Sequence, residues 1–128
     1  MKNIWIVDDD EEMVRAVQLM LKLLHCNVTP FLSARPAAQA LMAGKRPDLM
    51  IFDINMPEVS GLDLLEFVRR RKEWNDLPII MLSTEAADVT VDRALELGAD
   101  GYVSKPVTLE ELERVLNTAL QKHQKGSL

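Results

Sequence analysis

Five short apolar runs recur along the chain: "IWIV" (4–7), "NVTPF" (27–31), "LMIFD" (49–53), "PIIML" (78–82) and "GYVS" (101–104). Between them lie stretches with helical spacing. Met13, Val17, Met20/Leu21 and Leu24 make one apolar stripe; Leu62, Leu65 and Val68 make another; Leu109, Leu112, Val115/Leu116 and Ala119/Leu120 make the last. Start and stop signals fall in the same places. Ser33 is placed to cap the second helix, Ser60-x-x-Asp63 resembles a capping box, Thr108-x-x-Glu111 has the form of one, and Gly98 stands where the fourth helix should stop. The pattern is strand then helix, five times, with loops of a few residues. Runs 1, 3 and 4 are almost wholly apolar, as central parallel strands covered on both faces must be. Pro30 marks the second run as an edge strand. Right-handed crossovers then give an α/β fold, an open doubly wound five-stranded parallel sheet between two helical layers.

A chain of 128 residues supplies one domain with a real core and not two. A net charge of -5 argues against direct nucleic-acid binding by this domain, because phosphate contacts need a basic surface. No apolar run is long enough to span a membrane and no leader pattern opens the chain, so a cytoplasmic location is expected. The single Cys26 fits a reducing compartment and reads as a small packed side chain. The C-terminal "QKHQKGSL" reads as a frayed helix end, giving a domain over 1–122 and a tail over 123–128.

In such folds ligands sit beyond the carboxyl ends of the strands, where strand order reverses. Asp8, Asp9 and Asp10 end the first run, Asp53 the third, Ser83 and Thr84 the fourth, and Lys105 the fifth. Asp10, Glu11 and Glu12 fall in the first turn of a helix and are explained as cap and helix-dipole residues. Asp53, directly after "LMIF", stands at the mouth of the sheet. If strands 1 and 3 are neighbours, Asp8 or Asp9 lies close to it. Carboxylates that close resist joint ionisation unless a cation compensates. Oxygen ligands without a histidine or cysteine among them suit Mg²⁺, or Mn²⁺ in its place, rather than zinc.

Four stretches, "VDDD", "IFDINMPEVSG", "PIIMLSTEA" and "GADGYVSKPV", together resemble the receiver domain of two-component response regulators, and in size the single-domain chemotaxis (CheY-like) type. The resemblance runs from residue 3 to about residue 122. It implies the flavodoxin/CheY-like strand order 2-1-3-4-5. It implies Asp53 as phosphoacceptor, with Asp8, Asp9, Asp53 and the backbone carbonyl of Asn55 around Mg²⁺. Asp9 is then the direct ligand and Asp8 acts mainly through water. Ser83 takes the place of the hydroxyl that binds the phosphoryl group, Lys105 that of the lysine, and Lys105–Pro106 is expected to be cis. Tyr102 matches the aromatic switch position. Asn55 and Glu85 flank the phosphoryl group and, with Thr84, tune its lifetime.

The resemblance also implies partners: a sensor histidine kinase or histidine phosphotransfer protein as donor, and a downstream protein target read through the helix 4, strand 5, helix 5 face, with Asp92, Arg93, Glu111 and Arg114 among its polar residues. The chain is then a monomer or a weak phosphorylation-dependent dimer, and not a conventional enzyme, although it catalyses its own phosphorylation and dephosphorylation. Two alternatives are a fragment of a longer regulator with its output domain elsewhere, and a receiver-like scaffold that takes no phosphate. An aspartate-nucleophile phosphatase needs a second acid where Asn55 stands, and a flavodoxin's phosphate loop would not carry "DDDEE". Among the remaining residues, His25 and His123 read as surface histidines, Trp5 as packing, Trp74 as a loop anchor, Arg69–Lys72 as the solvated end of the third helix, and the seven methionines mostly as core filler.

Overall fold

The structure, a computed structural model, describes residues 1–84 and 88–123. Its elements alternate strictly: β1 (Lys2–Val7), α1 (Glu11–Leu23), β2 (Cys26–Phe31), α2 (Ala34–Met42), β3 (Leu49–Asp53), α3 (Gly61–Arg69), β4 (Ile79–Ser83), α4 (Asp88–Glu96), β5 (Gly101–Ser104) and α5 (Leu109–Lys122). All strand pairs are parallel and the sheet order is β2-β1-β3-β4-β5. Pro30 lies in an edge strand, where its missing N–H is tolerated.

Strand side chains alternate between the two faces of a sheet, and this divides the core. Trp5, Val7, Met50, Phe52, Ile79 and Met81 pack with α2, α3 and Ala94 of α4. Ile4, Ile6, Leu49, Ile51, Ile80 and Leu82 pack on the opposite face with α1 and α5. The α5 stripe is buried as expected through Leu112, Val115, Leu116, Ala119 and Leu120, while Leu109 stays exposed. In α1 the fully covered residues are Val14, Val17 and Leu21, with Met13, Met20 and Leu24 packed at their margin. In α3 Leu64 is buried beside Leu65 and Val68, and Leu62 is only partly covered.

The caps differ in how fully they form. Asp10 accepts from the backbone of Glu12 and Met13. Ser60 and Asp63 make both halves of a capping box, but Thr108 makes only the forward half, accepting from the Glu111 N–H. Ser33 holds the N-cap position of α2 without a side-chain bond, so the expected cap is absent there. Gly98 ends the α4 turn at φ 103, a conformation only glycine adopts cheaply.

Two readings of single residues are overturned. Arg69 is not a solvated helix-end cation. Its guanidinium is largely buried and donates to the carbonyls of Gly98 and Trp74 and to the carboxylate of Asp100 at 2.9 Å. His123 is not a surface histidine either, since Nε2 lies 2.8 Å from Asp100 Oδ1 and the side chain is mostly covered. Trp74 is the expected anchor, buried against Phe67.

Candidate functional site

Apart from Tyr102, which lies within β5, the expected site residues among the described ones lie at the carboxyl edge of the sheet. Asp53 is the last residue of β3, between β1 and β4, and its side chain is almost wholly buried. Asp8 follows β1, is wholly buried, and is held by its N–H donating to the Phe31 carbonyl. Asp9 beside it is exposed. These three carboxylates each place an oxygen within 4.8 Å of the others.

Lys105, just past β5, reaches across the edge of the sheet. Its Nζ stands 3.3 Å from Asp8 Oδ2 and 3.4 Å from Asp53 Oδ1. Its backbone N–H donates to the Ser83 carbonyl, which ties the β5 exit to the β4 exit. The Lys105–Pro106 bond is cis, as expected. Ser83 ends β4 fully buried, and Thr84 after it is exposed. Glu85 lies outside the described residues. Asn55 is exposed, and its N–H donates to Asp53 Oδ1 at 3.4 Å.

The electrostatics follow from burial and crowding. Desolvation and then the charge of Asp8 push the Asp53 carboxyl up to about 6, against the pull of Lys105. Burial works against the Lys105 ammonium, but Asp8 and Asp53 outweigh it and its pKa is raised. One ammonium faces three carboxylates, so the cluster keeps excess negative charge. Asp8 Oδ1 accepts from the Asp10 N–H, whereas Asp8 Oδ2, wholly buried, has the Lys105 ammonium near it but no aligned hydrogen bond. A buried carboxylate oxygen left so is costly. Two covered carboxylates, one exposed, and an underused oxygen fit a small hard divalent cation with retained waters.

Tyr102 is half-buried and packs on the α2–α3–α4 side of the sheet. It lies opposite Met81 in the β4–β5 register. Ser83, two residues beyond Met81, therefore projects to the same face as Tyr102.

Gly61 is a residue that the sequence analysis missed. It opens α3, and a Cβ there would overlap the carbonyl oxygen of Asp53. Its N–H donates to the Ile54 carbonyl, so α3 starts pressed against the end of β3. The only signal was a glycine directly after the capping Ser60.

The chain belongs to the response regulator receiver domain family, whose model matches residues 4–117. It is 37% identical over 118 residues to the chemotaxis protein CheY homolog of Campylobacter jejuni, covering 88% of this chain and 91% of that protein. It is 33% identical over 125 residues to the KDP operon transcriptional regulatory protein KdpE of Escherichia coli, covering 96% of this chain. The chain spans 53% of KdpE and 18% of protein RcaC of Microchaete diplosiphon. A CheY-like receiver domain structure from Methanospirillum hungatei superimposes with a TM-score of 0.86 at 26% identity, covering 98% of each chain. Receiver domains are signalling modules of two-component systems, not conventional enzymes, and generally bind Mg²⁺ at an acidic pocket; this chain carries a cluster of acids in Asp8, Asp9 and Asp53.

Proposed function

We propose that residues 1–122 form a phosphorylation-dependent receiver in which Asp53 accepts a phosphoryl group from the phosphohistidine of a sensor kinase or phosphotransfer protein. The observation that carries this is the Asp53 carboxylate itself: buried at the end of a central strand, ringed by two further carboxylates, and 3.4 Å from an ammonium.

A carboxylate oxygen of Asp53 attacks phosphorus as the bond to the donor imidazole breaks, and the bonding pair leaves on that nitrogen. Lys105 is held in place by Asp8 and supplies fixed positive charge for the phosphoryl oxygens. The Ser83 hydroxyl donates to one of them. Asp8, Asp9, Asp53 and the Asn55 carbonyl would hold Mg²⁺, which when bound neutralises phosphoryl charge. The product is an acyl phosphate, which water cleaves in the same site, with Asn55 and Glu85 setting its access.

The change is read at the β5 edge of the sheet. Ser83 drawn toward the phosphoryl group leaves room into which Tyr102 turns, and the face built by α4, β5 and α5 is reshaped for a protein target. Such coupling is worth about 1–3 kcal/mol.

Incubation with acetyl phosphate and Mg²⁺ tests the reading. Acid-labile, hydroxylamine-sensitive phosphate should appear on the wild-type protein and be absent from Asp53→Asn. Equal labelling of the two would overturn it.

A further inference from the structure

We propose that the seam between α2 and α3, whose cationic end lies at the edge of the sheet opposite Asp53, docks an acidic segment of a partner protein carrying an apolar side chain. The proposal does not rest on phosphotransfer at Asp53.

A hollow of about 500 Å³ opens where α2 ends and the chain leaves α3. Its floor holds Leu41 and Trp74, both buried, and Met42 stands exposed at its side. Three of its lining residues are cations, Lys45, Arg46 and Arg71, against the single acid Glu73. Arg46 is committed already, to the Glu73 carbonyl and the Asp76 carboxylate. Lys45 and Arg71 have no carboxylate partner among the described residues. On a chain of net charge -5, this is a local reversal of sign.

Arg71 decides the chemistry. Its guanidinium lies 5.5 Å from the ring centres of both Phe67 and Trp74. Stacking engages the flat faces of the group and leaves its N–H edge available. A guanidinium held this way is already oriented for a two-pronged bond to a carboxylate, with less side-chain freedom to lose on binding. Arg71 also lines a second hollow of about 320 Å³ that continues along α3 past Phe67, Asp63 and the paired Glu66 and Arg70. Phe67 in turn lines a third, mostly apolar one of about 200 Å³ between the starts of α2 and α3, with Arg35 and Asp63 beside it. The three share lining residues in series, which suits an extended or helical segment better than a single compact ion. Lys45, Arg46 and Arg71 sit at one end of the seam and the mostly apolar hollow at the other, with Asp63 and Glu66 between them, so the occupant needs acid at the first end and an apolar anchor at the second.

The test uses a labelled peptide of glutamates around a single leucine, a lysine counterpart with the same leucine, and a short single-stranded oligonucleotide. Amide NMR shifts and fluorescence anisotropy follow each. The glutamate peptide should shift residues 41–46 and 67–74, and the lysine peptide should not. Arg71→Ala should weaken binding about tenfold, as loss of a charge-assisted bond does, and Arg71→Lys should not restore it. Because Arg71 also packs on two rings, Lys45→Glu serves as the second variant: it touches no core and should lower affinity and its salt dependence. Saturating beryllofluoride should leave the affinity unchanged. Absent shifts along the seam, equal binding of the two peptides, or binding of the oligonucleotide alone would each overturn the proposal.

Discussion

Both edges of the sheet bury charge, and they do so in opposite ways. At the amino edge Asp100 precedes β5, and each of its oxygens is used. Oδ2 accepts from Arg69 Nη2 and from the Ile79 N–H, both at 2.9 Å. Oδ1 faces His123 Nε2 at 2.8 Å and Lys122 Nζ at 3.9 Å. Burial depresses the Arg69 pKa, and Asp100 offsets part of that loss. The carboxyl edge has the reverse balance, with three carboxylates, one ammonium and an oxygen of Asp8 short of a donor. The same residue types thus make a closed clamp at one edge and an open, cation-seeking site at the other. Incomplete satisfaction of buried polar groups, more than their presence, distinguishes the edge proposed to take the phosphoryl group.

The contrast is sharpest in opposite-signed mutations. Asp100→Asn strands a buried guanidinium and should cost about 3–5 kcal/mol in urea unfolding; a loss below 1 kcal/mol would mean the clamp contributes no more than a surface pair. Asp53→Asn should instead stabilise the metal-free protein, by about 3 kcal/mol at neutral pH. The sign follows from the raised pKa. The protonated carboxyl is the form that the fold favours, so Asp53 lends stability below its unfolded value of about 3.9. That contribution is lost as pH rises through the folded value of about 6. The advantage of the variant should therefore fade between pH 6 and pH 4, as denaturation in EDTA across that range will show, and an advantage independent of pH would point to packing. Mg²⁺ should raise the stability of the wild type by about 2–3 kcal/mol at a hundredfold excess over its dissociation constant, with the gain lost in Asp9→Ala; retention of the gain would remove Asp9 from the ligand set. The smallest effect belongs to the exposed Arg46–Asp76 pair. Asp76→Asn should cost under about 1 kcal/mol and less in high salt, and a larger loss would show that charge balance matters outside the two edges.

The fold was legible because its signals are local. Apolar runs bounded by caps fix the strands and helices, and Pro30 fixes an edge. The carboxyl-edge site was legible for a related reason: a residue that ends a strand carries its location with it, so Asp8, Asp53, Ser83 and Lys105 could be placed together before their distances were known. The amino-edge clamp had no such signal. Arg69 stands in a basic run and His123 in a polar tail, and only the approach of the ends of α3 and α5 to Asp100 gives them partners. Leu64 was missed because Leu62 offered an equally regular stripe, and the Ser33 cap failed because its side chain makes no bond to the first turn of α2.

Gly61 adds nothing to the chemistry, and that is how it serves it. The hydrogen atom in place of a side chain lets helix and strand meet at the carbonyl of Asp53. Any larger residue must push the two apart, and Asp53 moves with the strand. A saturation scan of this domain should score Gly61 as intolerant alongside Asp53, although one is the proposed phosphoacceptor and the other supplies only room. Sensitivity to substitution therefore maps two separate properties onto one pole of the molecule. Separating them requires a readout of folding beside the readout of phosphorylation, since Asp53→Asn would silence the second and spare the first, whereas Gly61→Val would damage both.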